Sequence, residues 1–167
     1  PDRVRNIAGE RAQVTGLLGS GVDPHLYKPT RSDIATLMGA DVVFYNGLLL
    51  EGKMTDALVR VAGGGGGKKV HGVTELLEAQ YLLSPDGPGG HHLPQVWMDP
   101  QAGMKAAEVI RDKPAEADPA NADTYRKNAE AYLSQLRALD EYATRILATV
   151  PESTRVLVTA HDAFNYF

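Results

Sequence analysis

Five histidines carry most of the coordination chemistry open to this chain, because its 167 residues include no cysteine. Thiolate ligands, disulfides and cysteine nucleophiles are thereby excluded, leaving imidazole, carboxylate and neutral oxygen or nitrogen donors. His25 sits in Gly21-Val22-Asp23-Pro24-His25, where Pro24 restricts the backbone and Asp23 stands two positions earlier. A metal-bound imidazole generally needs an acceptor to orient it, and Asp23 is placed to be one. His161 follows the apolar run Arg155-Val156-Leu157-Val158-Thr159-Ala160 and precedes Asp162. It reads either as a ligand or as a strand-end side chain bonded to backbone. His91 and His92 follow a Gly-rich loop and read first as polar loop residues, with weak metal capture as the second reading. Asp99, before Pro100, is the expected cap of a helix. No Ser-His-Asp order, phosphate-cradling glycine loop or pair of catalytic carboxylates stands out.

The elements that must position these residues alternate between strand and helix. Residues 13–18 form a short apolar run bounded by Gly, read as a buried strand, and residues 19–29 are loop. Thr30 and Asp33 open a helix whose buried face is Ile34, Leu37 and Met38, stopping at Gly39. Residues 41–46 read as a strand of β-branched and aromatic residues, and 54–61 as an amphipathic helix. The five glycines 63–67 read as a flexible loop or a segment standing in for one. A short strand at 68–71, a helical turn at 73–77 and a Pro/Gly/Asp loop at 84–90 follow. A helix over 99–110 is expected to end or break at Pro114. Residues 121–150 repeat apolar positions at three- and four-residue steps, predicting one helix of about 45 Å. Pro151 stops it, and 155–160 reads as a buried strand ending at His161. The sum is an α/β lobe with a mainly parallel sheet flanked by helices, then a long helix and the first strand of a second α/β lobe. In such sheets ligands gather at the carboxyl ends of strands, where His25 and His161 both fall.

Composition narrows the function. Lys and Arg number 17 against 21 Asp and Glu, a formal charge of −4, so the basic surplus that nucleic-acid binding needs is missing. No apolar run approaches the roughly 20 residues of a membrane-spanning helix. The opening Pro1-Asp2-Arg3 reads as entry into a helix already under way, as in a processed or trimmed chain.

Three longer motifs carry a resemblance. Gly21-Val22-Asp23-Pro24-His25-Leu26-Tyr27 with Ala40-Asp41-Val42-Val43-Phe44-Tyr45-Asn46-Gly47-Leu48-Leu49-Leu50-Glu51, then Val96-Trp97-Met98-Asp99-Pro100, then residues 155–164, resemble in order the zinc/manganese ABC-transporter solute-binding proteins (TroA-like). The resemblance implies two lobes joined by one rigid helix, with a metal ion held in the cleft between them. Residues 1–118 would be the first lobe without its opening strand, 119–151 the linking helix, and 152–167 the start of a largely missing second lobe. Family ligands map to His25 and His161. A third, in the pattern Asp-Pro-His-Val-Trp, falls on Gln95 of Leu93-Pro94-Gln95-Val96-Trp97, and the acidic fourth lies beyond the chain. Gln95 departs from the family: an amide oxygen is a poor Zn²⁺ ligand and suits harder ions better, unless His91 or His92 reaches in its place. Asp23 and Asp162 would be orienting neighbours.

The implied function is an extracytoplasmic receptor, not an enzyme, capturing Zn²⁺ or Mn²⁺ as cargo and handing it to an ABC permease. It would be a monomer, periplasmic or a cell-surface lipoprotein of a bacterium. One rival is a metal-dependent hydrolase on the same histidines, for which no general base has persuasive spacing. The other is a surface adhesion module, which would bind its partner without metal.

Overall fold

In the computed structural model of the chain, residues 1–64, 69–85, 87, 90–161 and 163–167 are described. The element order is α1 (Asp2–Ala8), α2 (Arg31–Gly39), β1 (Val42–Tyr45), α3 (Thr55–Gly63), β2 (Lys69–Gly72), α4 (Pro100–Ala117) and α5 (Ala122–Leu147), with short 3₁₀ turns between them. β1 and β2 pair in parallel, Val42 opposite Lys69 and Tyr45 opposite Gly72, with α3 as the crossover. The ladder extends beyond the strands: the Val73 amide donates to the Tyr45 carbonyl and the Thr74 amide to that of Asn46.

Alternation along β1 decides which helices cover which face. Val43 points into a cluster with Leu37 of α2 and Leu58 and Val61 of α3. Phe44 points the other way, against a cluster built from Ile7, Ala106, Ala107, Ile110, Tyr125, Ala129 and Leu133. The sheet is thus sandwiched between α2/α3 and α1/α4/α5. Alanines at 106, 107 and 129 let α4 and α5 approach closely. The Asn128 amide donates to the Ile7 carbonyl, and the Tyr125 hydroxyl to Asp118, fixing the helices' register.

Local chemistry explains several element ends. Thr30 accepts from the Asp33 amide while the Asp33 carboxylate takes the Thr30 amide, the reciprocal cap expected at the start of α2. On that helix Leu37 is buried and Ile34 packs beside it, but Met38 is half exposed. Asp99 accepts from the Gln101 amide with Pro100 as first helical residue. Pro114, expected to end α4, lies inside it. Near the helix's end proline forfeits only one backbone bond, and Ala115 on the following turn packs against the α4/α5 cluster.

Two expected strands are absent. Residues 13–18 carry no ladder among the described residues, and Leu17 and Leu18 pack against the α2/α3 cluster. Residues 155–160 likewise carry no strand, and Val156 and Val158 are 79% and 88% exposed. A strand exists only through its neighbours, and neither segment has one among the described residues. β2 begins at Lys69; Lys68 lies outside the described residues, as do Gly65, Gly66 and Gly67, while Gly63 closes α3. The long helix was expected within a few residues of where α5 lies, and its 26 residues span about 39 Å. Only its first half is buried: Leu139, Tyr142 and Ile146 continue the apolar stripe in the open. Among the described residues no helix is long and apolar enough to cross a membrane.

Candidate metal site

The histidine pair singled out in the sequence meets beside the turn that leaves the carboxyl end of β1. The chain leaves β1 at Asn46 and turns through Gly47, Leu48 and Leu49, all with positive φ (94°, 51° and 62°). Two consecutive non-glycine residues in that region are costly and persist only where surroundings enforce them. The enforcing group is Glu51. Its carboxylate, 7% exposed, accepts the amides of Asn46 and Gly47 and so folds the turn back on the strand end. Burial holds the Glu51 carboxyl above the ordinary glutamate value, against the pull of those two amides.

Gly52 completes the turn at φ +34°, directly under the His25 carbonyl oxygen, where no Cβ would fit. This contact seats the 23–27 loop on the sheet. Asp23 was expected to orient the His25 ring; instead its carboxylate accepts the His25 backbone amide at 2.9 Å. In a Pro-containing turn the nearest unpaired donor is the main chain, and the short Asp side chain reaches that first.

His25 and His161, remote in sequence, are adjacent in space: their ring centroids lie 5.9 Å apart in an edge-to-face arrangement. Asp162 lies outside the described residues. The C-terminal segment is tied down five positions later. The Tyr166 hydroxyl donates to the Leu93 carbonyl at 2.8 Å and accepts the Leu83 amide at 3.0 Å. The Asn46 side-chain amide donates to the Pro94 carbonyl at 2.9 Å. Leu93 and Pro94 are thus held by the segment after His161 on one hand and by the turn beneath His25 on the other.

The next residue, Gln95, is 5% exposed, and its Oε1 has no hydrogen-bond partner among the described residues. His91 is exposed, and Nδ1 of His92 pairs with the Ser84 hydroxyl at 2.7 Å. Among the described residues no three His, Asp or Glu side chains gather as a metal cluster.

The fifth histidine serves the core. His71 on β2 packs its ring 5.7 Å from that of Phe44, with Nε2 buried and unpartnered among the described residues. Burial, with the Lys113 charge adding to it, lowers its proton affinity below the usual histidine value.

Sequence reasoning passed over Glu51, Gly52, Asn46 and Tyr166. Glu51 left a signal: one acid between Leu50 and Gly52, closing an apolar run, is a carboxylate destined for burial and needing donors. Tyr166 left none, because its partners are far away in the chain.

A parallel αβ lobe with imidazoles converging past its strand ends, and a long helix leading out, is the TroA-like lobe architecture. Its likeness to the solved periplasmic zinc binding protein TroA of Treponema pallidum has a TM-score of 0.91 at 36% identity, covering 99% of this chain and 58% of that one. The chain belongs to the family described as ZnuA, zinc-uptake complex component A, periplasmic, whose profile matches residues 1–167. It is 44% identical over 166 residues to the manganese-binding lipoprotein MntA of Bacillus subtilis, covering 99% of this chain and 53% of that protein. To the zinc-binding protein TroA of Treponema pallidum it is 36% identical, covering 99% and 52%. The chain spans about half the length of the curated relatives it matches.

Proposed function

We propose that the chain is the first lobe, linking helix and opening of the second lobe of an extracytoplasmic receptor for a divalent transition metal, Zn²⁺ or Mn²⁺. Residues 1–118, 119–151 and 152–167 are those parts. The ion is cargo, taken up in the cleft and handed to the permease of an ABC transporter. The receptor works without catalysis, as a monomer, in the bacterial periplasm or as a lipoprotein at the cell surface. That setting matches relatives named as manganese-binding and metal-transporter substrate-binding lipoproteins.

One observation carries the reading: the rings of His25 and His161 come within 5.9 Å. Nothing in an α/β core requires two distant loop histidines to meet beyond the strand ends, whereas two imidazoles sharing a cation must. His25 and His161 are the donors we assign. Asp23 holds the His25 loop through its backbone, and Asp162 serves beside His161. A third donor comes from Gln95 or from His91 and His92 before it.

Titration of the full-length protein with Zn²⁺ and Mn²⁺, wild type against His25→Ala and His161→Ala, tests this. Each variant should lose most of its affinity while unfolding at an unchanged urea midpoint. Unaltered binding in both would refute the site.

A further inference from the structure

The buried carboxylate of Glu51 divides itself between two backbone donors: Oε1 accepts the Asn46 amide and Oε2 that of Gly47. Desolvating a charge is costly, and what it secures here is a shape. Leu48 and Leu49 stay at φ 51° and 62°, and Leu49 is 66% exposed, so no packing of its own side chain compels it there. The start of the turn is anchored independently, since the Asn46 carbonyl takes both the amide and the hydroxyl of Thr74. With that end fixed, the direction of the turn decides where its far end lies. That end is Gly52, against the His25 carbonyl. The same turn carries the Asn46 side-chain amide to the Pro94 carbonyl.

Resting on the receptor reading above, we propose that Glu51 is a positioning residue for metal binding: acting through the backbone rather than on the ion, its carboxylate holds the left-handed turn that seats His25 beside His161. Both oxygens are needed. A glutamine in its place would turn its NH₂ toward one of the two amides whichever way the side chain flips. The turn would then relax toward negative φ, and Gly52 would draw away from the His25 loop. The ion would bind only the fraction of molecules that still hold the seated form, and apparent affinity falls by that fraction. The fall is the same for every ion, because the ligands are unchanged, and this separates positioning from coordination.

The experiment titrates the full-length protein with Mn²⁺ and, separately, with Zn²⁺, as wild type, Glu51→Gln, Glu51→Gln with Leu49→Gly, Leu49→Val and His25→Ala. Urea unfolding of each metal-free form ensures that affinities are compared among folded proteins. Glu51→Gln is expected to bind both ions about tenfold or more weakly, by one common factor. Adding Leu49→Gly should recover most of that loss, since glycine adopts positive φ without strain and the turn no longer needs its clamp. A merely structural carboxylate would not be rescued by a change at an exposed position. Leu49→Val, whose branched side chain resists positive φ, should weaken both ions in the same way, and it reads the turn even where Glu51→Gln does not fold. Undiminished affinity in Glu51→Gln or Leu49→Val, no recovery in the double variant, or a shifted Zn²⁺-to-Mn²⁺ ratio overturns the inference. Unchanged binding in His25→Ala overturns the receptor site itself, so the two failures are told apart.

Discussion

Replacing Gly52 by alanine should damage metal binding more than it damages folding. Gly52 has φ +34°, and an added Cβ would press into the His25 carbonyl, lying 3.2 Å from its carbon and closer still to its oxygen. Left-handed backbone costs an L residue about 1–2 kcal/mol, which sets the expected loss of stability. Relief of the clash requires the His25 main chain to retreat by roughly 1 Å before ordinary contact distance is restored. Metal–ligand distances hold to about 0.2 Å, so the imbalance falls on the ring. Disturbing what orients a metal ligand typically lowers affinity about 10–100-fold, and that is the expected fall. Calorimetric titration of the full-length protein with Mn²⁺ and Zn²⁺, beside urea unfolding of the metal-free form, reads both quantities. Gly39→Ala is the control: nothing lies within 4 Å of its Cβ, and both measurements should hold or improve slightly. Wild-type affinity in Gly52→Ala would show that the turn does not seat His25, and the positional argument would fall.

Other perturbations probe the same scaffold. Burial raises the Glu51 proton affinity above the ordinary value of 4.5, so the folded chain keeps that proton longer than the unfolded one. Glu51 therefore favours folding below that value and loses its contribution as pH rises through the folded-state range; Glu51→Gln should flatten this fall in urea titrations between acid and neutral pH. His71 works with the opposite sign: its proton affinity is lowered from 6.5, so stability present above that value drains as pH falls below it. His71→Leu should remove that part of the acid sensitivity, and an unchanged pH profile would contradict the buried, unpartnered ring. Leu133, 2% exposed, anchors α5 in the main cluster, and Leu133→Ala should cost about 2–5 kcal/mol by chemical unfolding.

What was readable in the chain divides by the range of the interaction responsible. The cap from Thr30 and Asp33, the start of α4 at Asp99-Pro100 and the apolar repeat of α5 are written within a few residues, and each lies where its spacing puts it. The apolar runs at 13–18 and 155–160 have strand composition but no ladder partner among the described residues, and pairing is a property of two segments. Pro114 obeys its usual rule weakly, since a helix already anchored on one face tolerates one missing bond near its end. His25 and His161 were singled out by position at strand ends and by the resemblance, but their meeting is non-local. Asp23 was given to the ring and serves the backbone, a choice settled by reach rather than residue type. The burial of Gln95 and the clamp by Glu51 depend on how the loops stack over the sheet, which no window of sequence contains.

The half-buried helix α5 has a mechanical consequence. Its mount is the stretch from Tyr125 to Leu136 packed in the main cluster, and the Gln101 side-chain amide of α4 donates to Asp140 farther along, so the helix works as a lever whose far arm, Leu133 to Leu147, is about 20 Å long. A tilt of about 5° at the mount swings the tip by roughly 2 Å over that length. Small residues such as Ala129 act as the shims of this bearing: a bulkier side chain there, remote from either imidazole, would misalign whatever the tip carries while leaving each histidine's own loop intact.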